Sequence, residues 1–586
     1  MKQLYTVLLR TIVLACLATL FTQPAFSAST PGFVTVFPEY LRIETKATMV
    51  FTYTAGSSGL NIGDEIQLHD PMFHGMRWSK WGELSIWKEL CNPLSGGPDG
   101  ISSFGLVTAS TDSPGVGLTI ERTNCENKNT YCFGTLHDEA WTRVIVESGA
   151  LVEGDTINIT VGDQSENPDC GLQVGPRAYP NVWWPAYEIA DGISTELEAP
   201  VIHINPKSIA TKLLVIVPSQ AVVGEPFAVK LSALDDWGNA VPYTDLQTTL
   251  NFDAAGSGSG QSYDFQTSSV GWHDLTVTIN DEGVHWLTVD SQLGTVYSNP
   301  VEVMNVAPER SIYWGDIHVH HGYSWYDIDG ILHDINQSYA RDVVGLDVSC
   351  ESEKALPVEA HSLELWEELT QTCAELSVEG SFLVLQGFEW MGAWAVEAPN
   401  PDPGHHNVYY DSCDGPLGSH EFTNSVQDKD GLWDYARSVR EEFGIDAITI
   451  PHAMPYTSYY YDSYDNDIQK VAEIFSGWGD STDGRSKEGY GGIDDMFQHD
   501  VRMGFMASSD NHDGWMGNPY YLTDHNGTPG GGYVAFVAEA LNRAAVFDSL
   551  KTRHTYATTA NRGIVHFESI DSEKTIDMGS EYLAKQ

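Results

Sequence analysis

The chain has 586 residues, 81 acidic and 30 basic, for a formal charge of −51. A surface this negative repels phosphate backbones and anionic lipid headgroups, which excludes nucleic acid and membrane surfaces as partners. The length predicts roughly two to four domains with ample cores.

The first residues carry Lys2 and Arg10, an apolar run from Thr11 to Phe21 and a small-residue region ending near Ala28. This is the pattern of a bacterial secretory signal peptide over residues 1–28, too short to span a membrane as a mature helix. No other apolar run is long enough to span, so the mature protein is expected to be periplasmic or secreted, with no membrane contact beyond export. Removing Cys16 leaves Cys91, Cys125, Cys132, Cys170, Cys350, Cys373 and Cys413. Export allows their oxidation; Cys125 and Cys132 bracket a short polar loop, which predicts local disulfides in the first domain, and the odd count leaves a thiol over. No CxxC or zinc-finger spacing occurs, so the cysteines are given no catalytic role.

From 31 to 200, short β-type runs such as TMVFTYTA, VGLTIE and TINITVG alternate with Gly, Pro, Asp and Asn turns, which predicts an antiparallel sandwich. Trp78, Trp81, Trp183 and Trp184 are expected to close its ends or pack on the next domain. A second β-module over 206–306, with GEP, DDWGN and NDEG turns, fits an immunoglobulin-like sandwich, and AAGSGSGQS from Ala254 to Ser262 reads as a flexible loop.

The character changes from 309 to 586. Segments of helical period, HSLELWEELTQTCAEL and LWDYARSVREEFG, alternate with the strands GLDVSC, SFLVLQGFEW, DAITIPHA, KVAEIFSG and RMGFMASSDNH, each ending in polar or ionisable residues. A parallel α/β barrel, or a doubly wound sheet, would gather those endings on one side. At the start of this region SIYWGDIHVHHGYSWYD reads as a buried strand in which alternation puts Asp316, His318 and His320 on one face. The other endings are Glu353 and Lys354; Glu389; His405 and His406; His452; and Asp510 and His512. Imidazoles and carboxylates recurring at the ends of several strands predict a metal centre, with zinc, manganese or iron equally suited to mixed His/carboxylate ligands.

The ordered set WGDIHVHHGYS, GLDVSCESE, GFEW, GHHNVYY, IPHA and SSDNHDG resembles the polymerase-and-histidinol-phosphatase (PHP) superfamily of metal-dependent hydrolases, and more closely its large secreted branch of unknown function. The resemblance covers about residues 309 to 565. It implies an α/β distorted TIM-like barrel after the two N-terminal all-β sandwiches, and two or three divalent ions. By motif, the first ion would take His318, His320, Glu389 and Asp510, and the second Glu389, His406 and His452, with Glu389 bridging. The third site departs from the family pattern: Tyr326 and Asp327 stand where a ligand is expected, and Glu353 is followed by Lys354 where an acid-His pair is expected. Either Asp327 and Glu353 bind an ion there together with His512, or Lys354 supplies the positive charge.

Such a centre activates water, and phosphoester hydrolysis is the leading reaction expected. Lys354, His405 and Arg562 are candidate clamps on the substrate, with Lys354 or His512 protonating the leaving group. The same metals acting on a small sulfate or carboxylic ester or a C–N bond, and a catalytically silent binding protein, are the alternatives. There is no Gly-rich phosphate loop and no GxSxG elbow, which excludes nucleotide-driven and serine chemistry. The last strand-like stretch stops at Gln586, so a lost C-terminal tail is one reading of the end of the chain.

Overall fold

The computed structural model describes residues 30–69, 87–89, 107–122, 141–165, 172–174, 176–320, 333–353, 361–390, 404–417, 428–452, 464–477, 479–481, 492–499, 501–511, 515–520, 531–571 and 574–580. The expected signal peptide, Trp78, Trp81, the Cys125–Cys132 loop, Asp327, Lys354 and His512 lie outside the described residues.

Period-two alternation builds the first unit. Met49–Thr54 buries every second residue and pairs antiparallel with Phe33–Phe37 and Thr156–Val161. A five-stranded sheet, with Glu65–His69 between Ala186–Ala190 and Trp141–Ser148, shares its core through Phe51, Tyr53, Ile66, Val144, Ile157 and Ile159. Within that core Glu188 accepts from Tyr53 Oη (2.6 Å) and the Gly32 N–H (2.7 Å), which meets the need of a buried carboxylate for donors. Trp184 is buried against Phe51, while Trp183 remains 43% exposed.

In the second unit Lys212–Ile216, Pro226–Leu234 and Trp272–Ile279 form an antiparallel sheet, packed over Val229, Leu231, Leu250, Phe265, Ile279, Val301 and Val303. The Gly/Ser stretch is not wholly a loop. Gly256–Ser257 joins the edge of Trp272–Ile279, and the Thr278 carbonyl lies where a Cβ at residue 256 would collide with it, so only glycine permits this approach.

The third region corrects the expectation of an α/β distorted TIM-like barrel. Its main strands divide among three separate sheets rather than one closed parallel ring. Ser311–Asp316 lies parallel to Val348–Ser349 on one side and antiparallel to Tyr533–Ala538 on the other. Gln386–Trp390, His405–Tyr410 and Ala447–His452 form a wholly antiparallel sheet, and Val471–Ser476 pairs parallel with Gly504–Ala507. A closed parallel barrel needs a crossover between every pair of neighbouring strands; antiparallel neighbours break that ring. The helices His361–Leu376, Lys429–Phe443 and Arg543–Lys551 pack on these sheets. Lys429–Phe443 is bounded by Asp428, which accepts from the Gly431 N–H, and by Gly444 at φ 72°.

Cys373 and Cys413 form a disulfide between the His361–Leu376 helix and the turn after His405–Tyr410, and Cys350 is a buried free thiol. Among the described residues no helix is long and apolar enough to cross a membrane.

Candidate metal centre

His318 and His320 follow the Ser311–Asp316 strand and flank Val319, which bridges Asn511 in parallel. The His320 N–H donates to Asn511 O (2.7 Å) and the Asp510 N–H to His318 O (2.8 Å), so Asp510 is carried alongside the two histidines. Glu389 comes from the antiparallel sheet. There Glu389 stands opposite Asn407, and His405 stands opposite His452. Residues opposite one another share a face, as do residues two apart, so Glu389, His405, Asn407 and His452 project together and His406 projects away.

Two sets of ligand atoms converge. In one, His318 Nε2 lies 3.3 Å from Asp510 Oδ1 and 3.1 Å from His320 Nε2, and His320 Nε2 lies 3.2 Å from Glu389 Oε2 and 3.4 Å from Asp510 Oδ1. In the other, Glu389 Oε1 lies 2.9 Å from His405 Nδ1 and 3.2 Å from His452 Nε2. Glu389 therefore divides its two oxygens between the sets. An ion holding N and O ligands tetrahedrally at about 2.0–2.1 Å separates those ligands by about 3.3 Å, so the donor spacing fits a divalent transition metal in each set. The members are buried except His405, whose side chain is 19% exposed.

The electrostatics are those of a cation site. Burial drives the His318 imidazole toward neutrality, but the carboxylates of Asp510, Glu473 and Glu389 outweigh it and raise its pKa to about 10. Burial, with the nearby His318 charge, pushes His452 down and keeps it neutral, the form in which imidazole ligates. Glu473 also holds His318 Nδ1 at 3.0 Å, which orients the ring so that Nε2 faces the cluster.

The sequence-derived ligands His318, His320, Glu389, His452 and Asp510 are brought together. The assignment of His406 is corrected by one residue. His406 lies on the opposite face, buried beside Trp390, with Nε2 3.0 Å from Gln469 Nε2. Its neighbour His405, expected to clamp substrate, is the one whose ring meets Glu389 and His452, in a group that could hold an ion. Burial together with Lys429, His452 and His405 depresses the His406 pKa well below its ordinary value, so its Nε2 accepts from the Gln469 amide.

Glu353 is buried next to the Glu389 strand, its carbonyl accepting the Glu389 N–H at 2.9 Å, but it does not join the converging sets. Asp316 is not a ligand either: its carboxylate accepts from the Ser509 and Gly517 N–H groups, both at 2.9 Å. Arg562 is corrected as a substrate clamp. It is buried, with NH1 donating to Gly345 O (2.7 Å) and NH2 to Val344 O (2.9 Å), so it closes the end of the Tyr339–Val344 helical turn. Sequence reasoning missed Glu473; an acid inside the apolar strand VAEIFS is the signal that points to it. Asn407 was missed too: it is fully buried beside Glu389, and neither end of its carboxamide has a hydrogen-bond partner among the described residues.

No family model matches the chain. An uncharacterized protein of Chlamydia pneumoniae is 21% identical over 459 residues, spanning 74% of this chain and 69% of its own. Among solved structures, the Escherichia coli adhesin FdeC is 14% identical, covering 50% of this chain and 72% of its own, at a TM-score of 0.21. The bacterial integrin-binding protein invasin is 11% identical, covering 50% of this chain and 43% of its own, at 0.16. Likenesses this remote have no bearing on function.

Proposed function

We propose that the chain is an exported, metal-dependent hydrolase whose centre holds two divalent ions, with phosphoesters as the leading substrates. The observation that carries this reading is the division of the Glu389 carboxylate between two sets of imidazoles, with Oε2 at His320 and Oε1 at His405 and His452. Ions held there would supply Lewis acidity and an activated water at neutral pH.

The remaining work falls to the chain. Glu389 fixes the spacing of the two sets, Asp510 and the His318–Glu473 pair complete the His318/His320 set, and half-buried His405 marks the side from which substrate approaches. Lys354 and His512 are retained as candidates to hold the substrate oxyanion and to protonate the leaving group. Export to the periplasm or medium agrees with the Cys373–Cys413 disulfide, a bond favoured in oxidising compartments.

The test is elemental analysis of protein purified without chelator, coupled to a panel of phosphomonoesters, phosphodiesters, sulfate esters and carboxylic esters. About two equivalents of metal with phosphoester turnover are expected. Less than one equivalent after anaerobic supply of zinc, manganese and iron overturns the metal reading. Turnover of sulfate or carboxylic esters alone replaces the substrate class, and bound metal with no turnover favours a binding protein.

A further inference from the structure

The segment that carries Asp510 is held from outside its own region. Asp510 adopts φ 49°, an uncommon conformation for a residue with a side chain, and such geometry persists only where its surroundings impose it. Part of that surrounding is local. Asp316 grips the Ser509 and Gly517 N–H groups, on either side of Asp510 in sequence, and Asn511 Nδ2 donates to Trp515 O at 3.0 Å.

The rest is supplied by the two β-units. The Trp515 ring stacks on Tyr339 of its own region and on Tyr179 of the first unit, with centroids 4.5 and 5.7 Å away. Its Nε1–H donates to Asn239 Oδ1 of the second unit at 2.9 Å. Asn239 is itself immobilised: Oδ1 also accepts the Ala178 N–H (2.9 Å), Nδ2 donates to Pro176 O (2.8 Å), and its own N–H donates to the buried Asp235 (3.0 Å). Asn518 Nδ2 donates to Trp237 O at 2.8 Å and Tyr339 Oη to Gly238 O at 2.8 Å, which pins the same turn to the same junction. One buried carboxamide thus ties all three parts of the chain to the loop that presents a ligand.

We infer that Asn239 is a positioning residue of the metal centre, acting through Trp515 on Asp510, so that the β-units set the geometry of the His318/His320/Asp510 half. This rests on the metal reading above. A ligand displaced by a fraction of an ångström loses the pre-organisation that makes its half of the centre bind tightly, while His405 and His452 take their positions from a separate sheet and not from this segment.

The test titrates chelator-treated full-length protein with cobalt(II), read by its visible absorption and by bound equivalents, in the wild type and in Asn239→Ala, Trp515→Phe and Ser219→Ala. Trp515→Phe keeps the stacked ring and removes only the N–H. Ser219→Ala removes the 2.7 Å bond from Trp314 Nε1 between the second unit and the third region, a bond made by neither Trp515 nor Asp510, and serves as the stability control. Asn239→Ala and Trp515→Phe are each expected to weaken one of the two cobalt sites about tenfold or more and leave the other within about twofold, with Ser219→Ala changing neither. Both sites unchanged in the two variants, or both weakened alike, overturns the inference while leaving the metal reading standing. Absence of cobalt uptake by the wild type overturns both.

Discussion

His405 and His452 stand directly opposite one another on antiparallel strands, and both rings meet the same oxygen of Glu389, at 2.9 and 3.2 Å. On the two-ion reading, that register makes His405 the ligand of the HisHis pair. His405→Ala is expected to lose one of the two metal equivalents, whereas His406→Ala keeps both and loses stability through its contacts with Trp390 and Gln469. Metal content measured after gel filtration separates the two; loss in His406→Ala alone would reverse the assignment.

Glu473 meets the proposed centre at the far nitrogen of His318, 3.0 Å away. Glu473→Gln keeps the shape of the side chain but removes the charge that orients and polarises the imidazole. Metal affinity in the His318 half is expected to fall about 10- to 100-fold. An affinity unchanged by competition titration would remove Glu473 from the centre.

A second histidine gives a pH dependence of folding. His333 is buried against the Glu351 carboxylate, which also accepts from Asn336 Nδ2 at 2.9 Å. Burial pushes the His333 pKa down, but Glu351 outweighs it and raises it from 6.5 to about 9. The folded state therefore binds this proton more tightly than the unfolded chain. The stabilisation is complete below pH 6.5 and is lost as pH rises through about 9, and the shift corresponds to on the order of 3 kcal/mol. Melting temperatures of chelator-treated protein should drop across this window, and less steeply in His333→Gln. Equal slopes in the two proteins would contradict the pairing.

Arg562 is expected to matter for stability and not for the metals. Arg562→Met leaves the carbonyls of Val344 and Gly345 without their donors, a loss of about 2–4 kcal/mol. Denaturant unfolding should shift accordingly with metal content retained. Normal stability combined with a raised KM on an active substrate would return Arg562 to the substrate.

Some of this architecture follows from the sequence by itself, because it depends only on local geometry. Alternation along an extended chain puts His318 and His320 on one face whatever that face packs against, and the same rule buries every second residue of Met49–Thr54. Tertiary structure decided what local geometry leaves open. Either residue of the HisHis pair is compatible with a strand, and only the pairing of His405 with His452 selects which one shares a face with Glu389. The direction of neighbouring strands is likewise non-local, which is why an expected parallel barrel gave way to separate and partly antiparallel sheets. Arg562 and Asp510 show the same limit. A cation in a loop reads as a clamp until its donors meet buried carbonyls, and Trp515, close to Asp510 in the chain, bonds to an asparagine more than two hundred residues earlier that no local pattern connects with it.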